Sequence, residues 1–152
     1  MTTKEYLGQI GLYDRIIQNK LSEIYQLRTL ASRITIAIKP DKIQTSGSKD
    51  VLGDTMSKVY DLEREVDALI DEYLDKKQIV VSQIEAFLKS GDKRYEEYYD
   101  VLNARFIRCL RFDDIPEEVN MSDRKVYYVY KEAMKEFEKV FGENYLEYEK
   151  FA

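Results

Sequence analysis

The chain has no histidine, a single cysteine, two prolines and six glycines. Without histidine, the commonest general base and the commonest metal ligand are both missing. With one cysteine besides, a structural zinc site has almost no ligands to draw on. Cys109 has no internal partner for a disulfide and is expected to be a small buried apolar residue in a reducing compartment. Scarce glycine and proline argue against an all-β chain, which needs many turns. No run approaches the ~20 apolar residues that span a bilayer. The opening Met1-Thr2-Thr3-Lys4-Glu5-Tyr6 has no apolar signal core. The expectation is a soluble cytoplasmic binding protein rather than an enzyme, with no cofactor, no metal and no membrane partner.

Charged residues make up 35% of the chain, above the usual ~25%. That excess suits long helices, which expose much polar face per residue buried. The net charge of −5 excludes a generic polyanion binder.

Thr2-x-x-Glu5 reads as a capping box that opens a helix. Ile10, Ile17, Ile24, Ala31 and Ile38 then recur every seven residues, with Tyr13, Leu27 and Ile34 three later and Leu21 four later. This predicts a helix of roughly 35 residues, about 50 Å long. A break runs from Lys39-Pro40-Asp41 to Ser46-Gly47-Ser48. A second sevenfold series follows: Val59, Val66, Tyr73, Val80 and Phe87, on a helix from near Val51 to Leu88. Two such helices of similar length describe a long antiparallel, coiled-coil-like hairpin over residues 1–90. A lone hairpin offers only a thin seam, so residues 1–90 are expected to assemble the protein as a homo-oligomer. The alternative is that the C-terminal helices fold back on the hairpin.

Lys89-Ser90-Gly91-Asp92 marks the expected boundary with a second unit, residues 91–152. This unit is read as a helix from Lys93 to Leu110, an acidic segment Asp113–Val119, a tight turn Asn120-Met121-Ser122 and a helix Asp123–Val140. Gly142 suits a left-handed residue after that helix, and Glu143–Phe151 forms a short aromatic tail. Ile115 and Val119 share one face, and Ser122 is a good N-cap. Val126, Tyr130, Ala133 and Phe137 form one apolar stripe, with Arg124, Tyr128, Lys131 and Lys135 opposite and Lys125 beside them. The whole is organised as a helix-turn-helix, a short scaffold helix followed by a recognition helix. The fold class is therefore all-α: a long helical hairpin followed by a small helix-turn-helix domain.

Val101-Leu102-x-x-Arg105-Phe106 followed by Ile115-x-x-x-Val119-x-Met121-Ser122-x-Arg124-x-Val126-Tyr127-x-x-Tyr130-Lys131-x-Ala133-Met134 resembles the fourth region of bacterial sigma factors. The chain is also similar to small phage and prophage regulators of Gram-positive bacteria, akin to ArpU and RinA. The segment Gln44–Asp50 resembles a loop between two long helices in that group. The resemblance implies a duplex-DNA-binding transcriptional regulator acting in the host cytoplasm. Two features depart from the family. Pro116 stands where a small helix-favouring residue is usual, so the scaffold helix must start late, near Asp113, or be distorted. From Asp92 onward there are 11 basic and 15 acidic residues, a net charge of −4.

The expected DNA-contacting set is Ser122, Arg124, Lys125, Tyr128, Lys131 and Lys135, joined by Arg105, Arg108 and Arg111 if the acids face elsewhere. RNA polymerase or another host protein is a further expected partner. The acidic surround leaves a second class open, a phage-encoded inhibitor that binds host machinery through the same scaffold. Enzymatic readings fare worse. Asp61, Glu63, Glu65, Asp67, Asp71, Glu72 and Asp75 crowd the second helix, and Glu72-x-x-Asp75 has a spacing seen in magnesium-binding helices. A solvated polar face accounts for the same residues. The Gly47 segment lacks the Gly-Lys-Ser/Thr order of a phosphate-binding loop.

Overall fold

A computed structural model describes the backbone of residues 1–37 and 46–150, and the side chains of residues 1–37 and 50–146. Among the described residues six α-helices run in order: α1 Thr3–Ala37, α2 Ser46–Glu85, α3 Lys93–Leu102, α4 Ile115–Val119, α5 Asp123–Phe141 and α6 Glu143–Lys150. A 3₁₀ segment, Ala86–Ser90, follows α2, and a π-helical turn, Asn103–Ile107, follows α3. No strand occurs among the described residues, so the fold class is all-α. No described helix is long and apolar enough to cross a membrane.

The start of α1 is set by the capping box. The Thr2 amide donates to the Glu5 carboxylate at 2.9 Å, and the Glu5 amide donates to Thr2 Oγ1 at 3.1 Å. These two bonds satisfy amides that have no partner within the helix. Helix α2 starts earlier than expected, at Ser46, so Gly47 and Ser48 lie in its first turn. The earlier part of the expected break, with Lys39, Pro40 and Asp41, lies outside the described residues, as does Ile38.

The described residues divide into two units, Met1–Leu12 with Tyr73–Ala152, and Tyr13–Glu72. The boundary expected at residues 90 and 91 falls inside the first of these. Its core joins Leu7 and Ile10 of α1, Val80 and Ile84 at the end of α2 and Phe87 of the segment after it to Tyr98, Val101, Leu102, Val129, Ala133, Phe137 and Tyr145. The ends of the long helices thus share one core with the C-terminal helices, because their heptad residues find large aromatic partners there. Tyr6 stacks on Tyr145 at 4.3 Å between ring centres, and Thr3 Oγ1 lies 2.8 Å from the Tyr145 hydroxyl. The expected short aromatic tail carries helix α6, with Tyr145 buried.

Gly142 does not end α5 in the left-handed region. It is right-handed, at φ −57° and ψ −31°, and the chain continues into α6. Its need for glycine is steric: an added Cβ would lie 2.3 Å from the Glu138 carbonyl oxygen and 3.0 Å from Leu146 Cδ1. Among the described residues, Gly91, Cys109 and Asn120 are left-handed. Cys109, expected to be buried, is exposed. It sits at φ 56° where the π-helical turn closes, with the Leu110 amide donating back to the Ala104 carbonyl at 3.0 Å.

In the second unit, α1 and α2 run antiparallel. Tyr13 meets Glu72, Lys20 meets Glu65 at 2.8 Å, and Arg28 meets Glu63. As the number rises in one helix it falls in the other. The seam buries Ile17, Ile24, Ala31, Val59 and Val66, all from the heptad series, together with Thr55. The Thr55 hydroxyl donates to the Val51 carbonyl at 2.7 Å, which satisfies it within its own helix.

Candidate nucleic-acid interface

Helix α4 is a little over one turn long and begins at Ile115, with Pro116 in its first turn. There the missing amide of proline removes no intrahelical bond. The start is two residues later than Asp113, and the proline is accommodated by that lateness. Asn120 ends α4 at φ 54° and ψ 48°. Asparagine tolerates this left-handed conformation better than most residues. The Met121 amide donates to the Pro116 carbonyl at 3.1 Å, closing the helix end. Met121 then packs on Ala104, Ile115 and Val126, which form a small core under the turn. Ser122 opens α5 with extended backbone, and its Oγ accepts from the Lys125 amide at 3.1 Å. Three residues therefore separate α4 from α5, and both ends of the turn are capped.

Burial fixes which face of α5 is outward. Val126, Val129, Ala133 and Phe137 are buried, while Arg124, Tyr128, Lys131 and Lys135 are exposed on the opposite stripe. Tyr128 is 66% exposed. Arg124 and Lys131 have no ion pair among the described residues, and Lys135 reaches Glu132 of its own helix at 3.7 Å. The outward stripe of α5 thus carries Arg124, Tyr128, Lys131 and Lys135, followed by the exposed Glu138.

The other expected basic residues are engaged elsewhere. Lys125 pairs with Glu97 of α3 at 3.0 Å. Arg108 pairs with Glu118 at 3.1 Å, and Arg111 approaches Asp113 at 4.0 Å. Arg105 donates to the Leu110 carbonyl at 2.9 Å and stands 4.4 Å over the Phe112 ring. Phe112 in turn stacks on Tyr127 and meets Tyr130 edge-on. Arg105 therefore holds the segment after α3 in place, a role that its position in the sequence does not reveal. Of the seven basic residues, Lys125, Arg108 and Arg111 thus have acidic partners nearby, and Arg105 is engaged within the fold.

A recess of about 270 Å³ lies between α3, the end of α4 and the start of α5, lined by Lys93, Glu96, Glu97, Asp100, Asn120 and Lys125 among others. Burial pushes the Asp100 carboxyl above its ordinary range, and neighbouring Glu96 and Glu97 push it the same way. The flank of the outward stripe is therefore acidic. Among the described residues no group of three or more potential ligands is placed to hold a metal ion.

Compared with protein-family models, curated proteins and solved structures, the chain matches none.

Proposed function

We propose that this chain is a duplex-DNA-binding transcriptional regulator of the phage type. In this reading α4, the three-residue turn and α5 form a helix-turn-helix, and residues 13–72 form the hairpin that assembles the protein. A cytoplasmic location goes with this reading. The observation that carries it is the outward stripe of α5, where Arg124, Tyr128, Lys131 and Lys135 follow a capped turn and face away from the core. Early residues of a recognition helix reach base edges, and later cations meet phosphates. Arg124 is the base-reading residue of the set, because arginine matches guanine with two bonds. Lys131 and Lys135 are the phosphate contacts. Lys125, held by Glu97, is secondary, and Arg105 supports the fold.

Binding to a duplex from the region upstream of its own gene is expected to weaken steeply with salt. Two phosphate contacts per protomer, Lys131 and Lys135, give a slope of about −1.8 in log K against log salt, and two protomers about twice that. Fluorescence anisotropy across a salt series measures the slope. A flat response contradicts the reading.

The acidic recess favours a second reading, a protein-binding inhibitor of host machinery whose partner offers a basic surface. Stable, stoichiometric capture of RNA polymerase or another host protein, with no duplex binding at ~20 mM salt, identifies that function instead.

A further inference from the structure

We infer that one broad face of the residue 13–72 unit is the docking surface for a second copy of this chain. The inference does not depend on DNA binding. It starts from the Arg28–Glu63 pair, which fixes the register of α1 against α2. One heptad back in α1 is Leu21, and one heptad on in α2 is Ile70, so the two lie side by side on the same face. One heptad the other way are Thr35 and Met56. Tyr25 lies between Leu21 and Arg28, and Tyr60 between Met56 and Glu63. Leu21 is 41% exposed, Tyr25 73% and Tyr60 54%. Among the described residues the seam buries five apolar side chains, and Leu21, Tyr25 and Tyr60 leave apolar surface on this face.

The area fits a dimer. Tyr13–Ala37 extends about 37 Å, and two packed helices are about 18–20 Å wide. One face is then about 700 Å², close to the roughly 800 Å² per partner of a stable interface. Charge selects the occupant. Among the described side chains of this face, Arg28 stands against Asp14, Glu63 and Asp67, a balance that disfavours nucleic acid or an anionic membrane. A two-fold axis parallel to the helices places α1 of one copy over α2 of the other at the same level. Arg28 then meets Glu63 of the second copy as well as its own, and Leu21 meets Ile70 of the second copy. The same patch meets itself, as a closed two-fold dimer requires.

Sedimentation equilibrium of the full chain tests this. The wild type is expected to be a dimer at ~20 µM, a concentration that populates any interface of micromolar affinity. Leu21→Glu should weaken dimerisation roughly a hundredfold, the loss expected at the centre of an interface. Leu30→Glu is the matched control. Leu30 is 45% exposed, and its spacing from Ile17 and Ile24 puts it on the opposite face. It should leave the dimer intact. Tyr60→Glu, at a side chain already exposed, repeats the test if Leu21→Glu loses helicity by circular dichroism. A monomeric wild type at this concentration, or equal effects from Leu21→Glu and Leu30→Glu, overturns the inference.

Discussion

Phe137→Ala is expected to destabilise the protein by about 3–5 kcal/mol, the range for emptying a buried phenylalanine site. Phe137 is fully buried, and its ring lies 5.0 Å from Phe141, 6.1 Å from Tyr6, 6.3 Å from Tyr145 and 6.4 Å from Phe87. These partners come from α1, the segment after α2, α5 itself and α6. One truncation therefore loosens the contacts that bring both chain ends into a single core. Against a total stability of about 5–15 kcal/mol, the loss is a large fraction. The melting temperature should fall by about 6–20 °C at this chain length. Thermal denaturation followed by circular dichroism measures it. A fall of a degree or two would mean that the four aromatic neighbours do not depend on Phe137.

Much of this fold is legible in the residues because helices repeat. The sevenfold series placed Ile10, Ile17, Ile24, Ala31, Val59, Val66, Val80 and Phe87, all of which are buried. Thr2, Ser122 and Asn120 marked helix ends through chemistry that acts within a few residues. What spacing along one helix cannot reveal is what a different helix presents. Lys125 and Glu97 are 28 residues apart, and Arg105 meets Phe112 only because a π-helical turn intervenes. For that reason spacing along α5 does not reveal that Lys125 is held by Glu97. Cys109 was misplaced for a related reason. Composition favours burial of a lone cysteine, but a left-handed residue closing a turn carries its side chain outward. Residues on both sides of the left-handed Gly91 share one core, which the turn signal at Ser90-Gly91 does not reveal.

The second large effect concerns DNA. Replacing Arg124, Lys131 and Lys135 together with alanine is expected to lower duplex affinity roughly 500-fold per protomer at ~0.1 M salt. The two lost phosphate contacts remove about 1.8 decades of affinity at that concentration, and the lost base contact of Arg124 removes about one decade more. Alanine favours helix, and all three side chains point away from the core, so the fold should be retained. The Lys125→Ala variant should lose much less, since Lys125 is already paired with Glu97. Anisotropy titrations of the two variants beside the wild type give the comparison. Equal losses for the triple variant and for Lys125→Ala would reassign the contact surface.

The claim that α5 presents its outward stripe to duplex DNA is tested most directly by nuclear magnetic resonance. Isotope-labelled protein is titrated with a duplex at ~20 mM salt, where counterion release most favours association. The account predicts that backbone amides of residues 120–135 and the side-chain signal of Arg124 shift together and saturably. Signals from Glu96, Glu97 and Asp100, beside the acidic recess, should move little. No shift at this salt, or shifts confined to residues outside α4, the turn and α5, would contradict it.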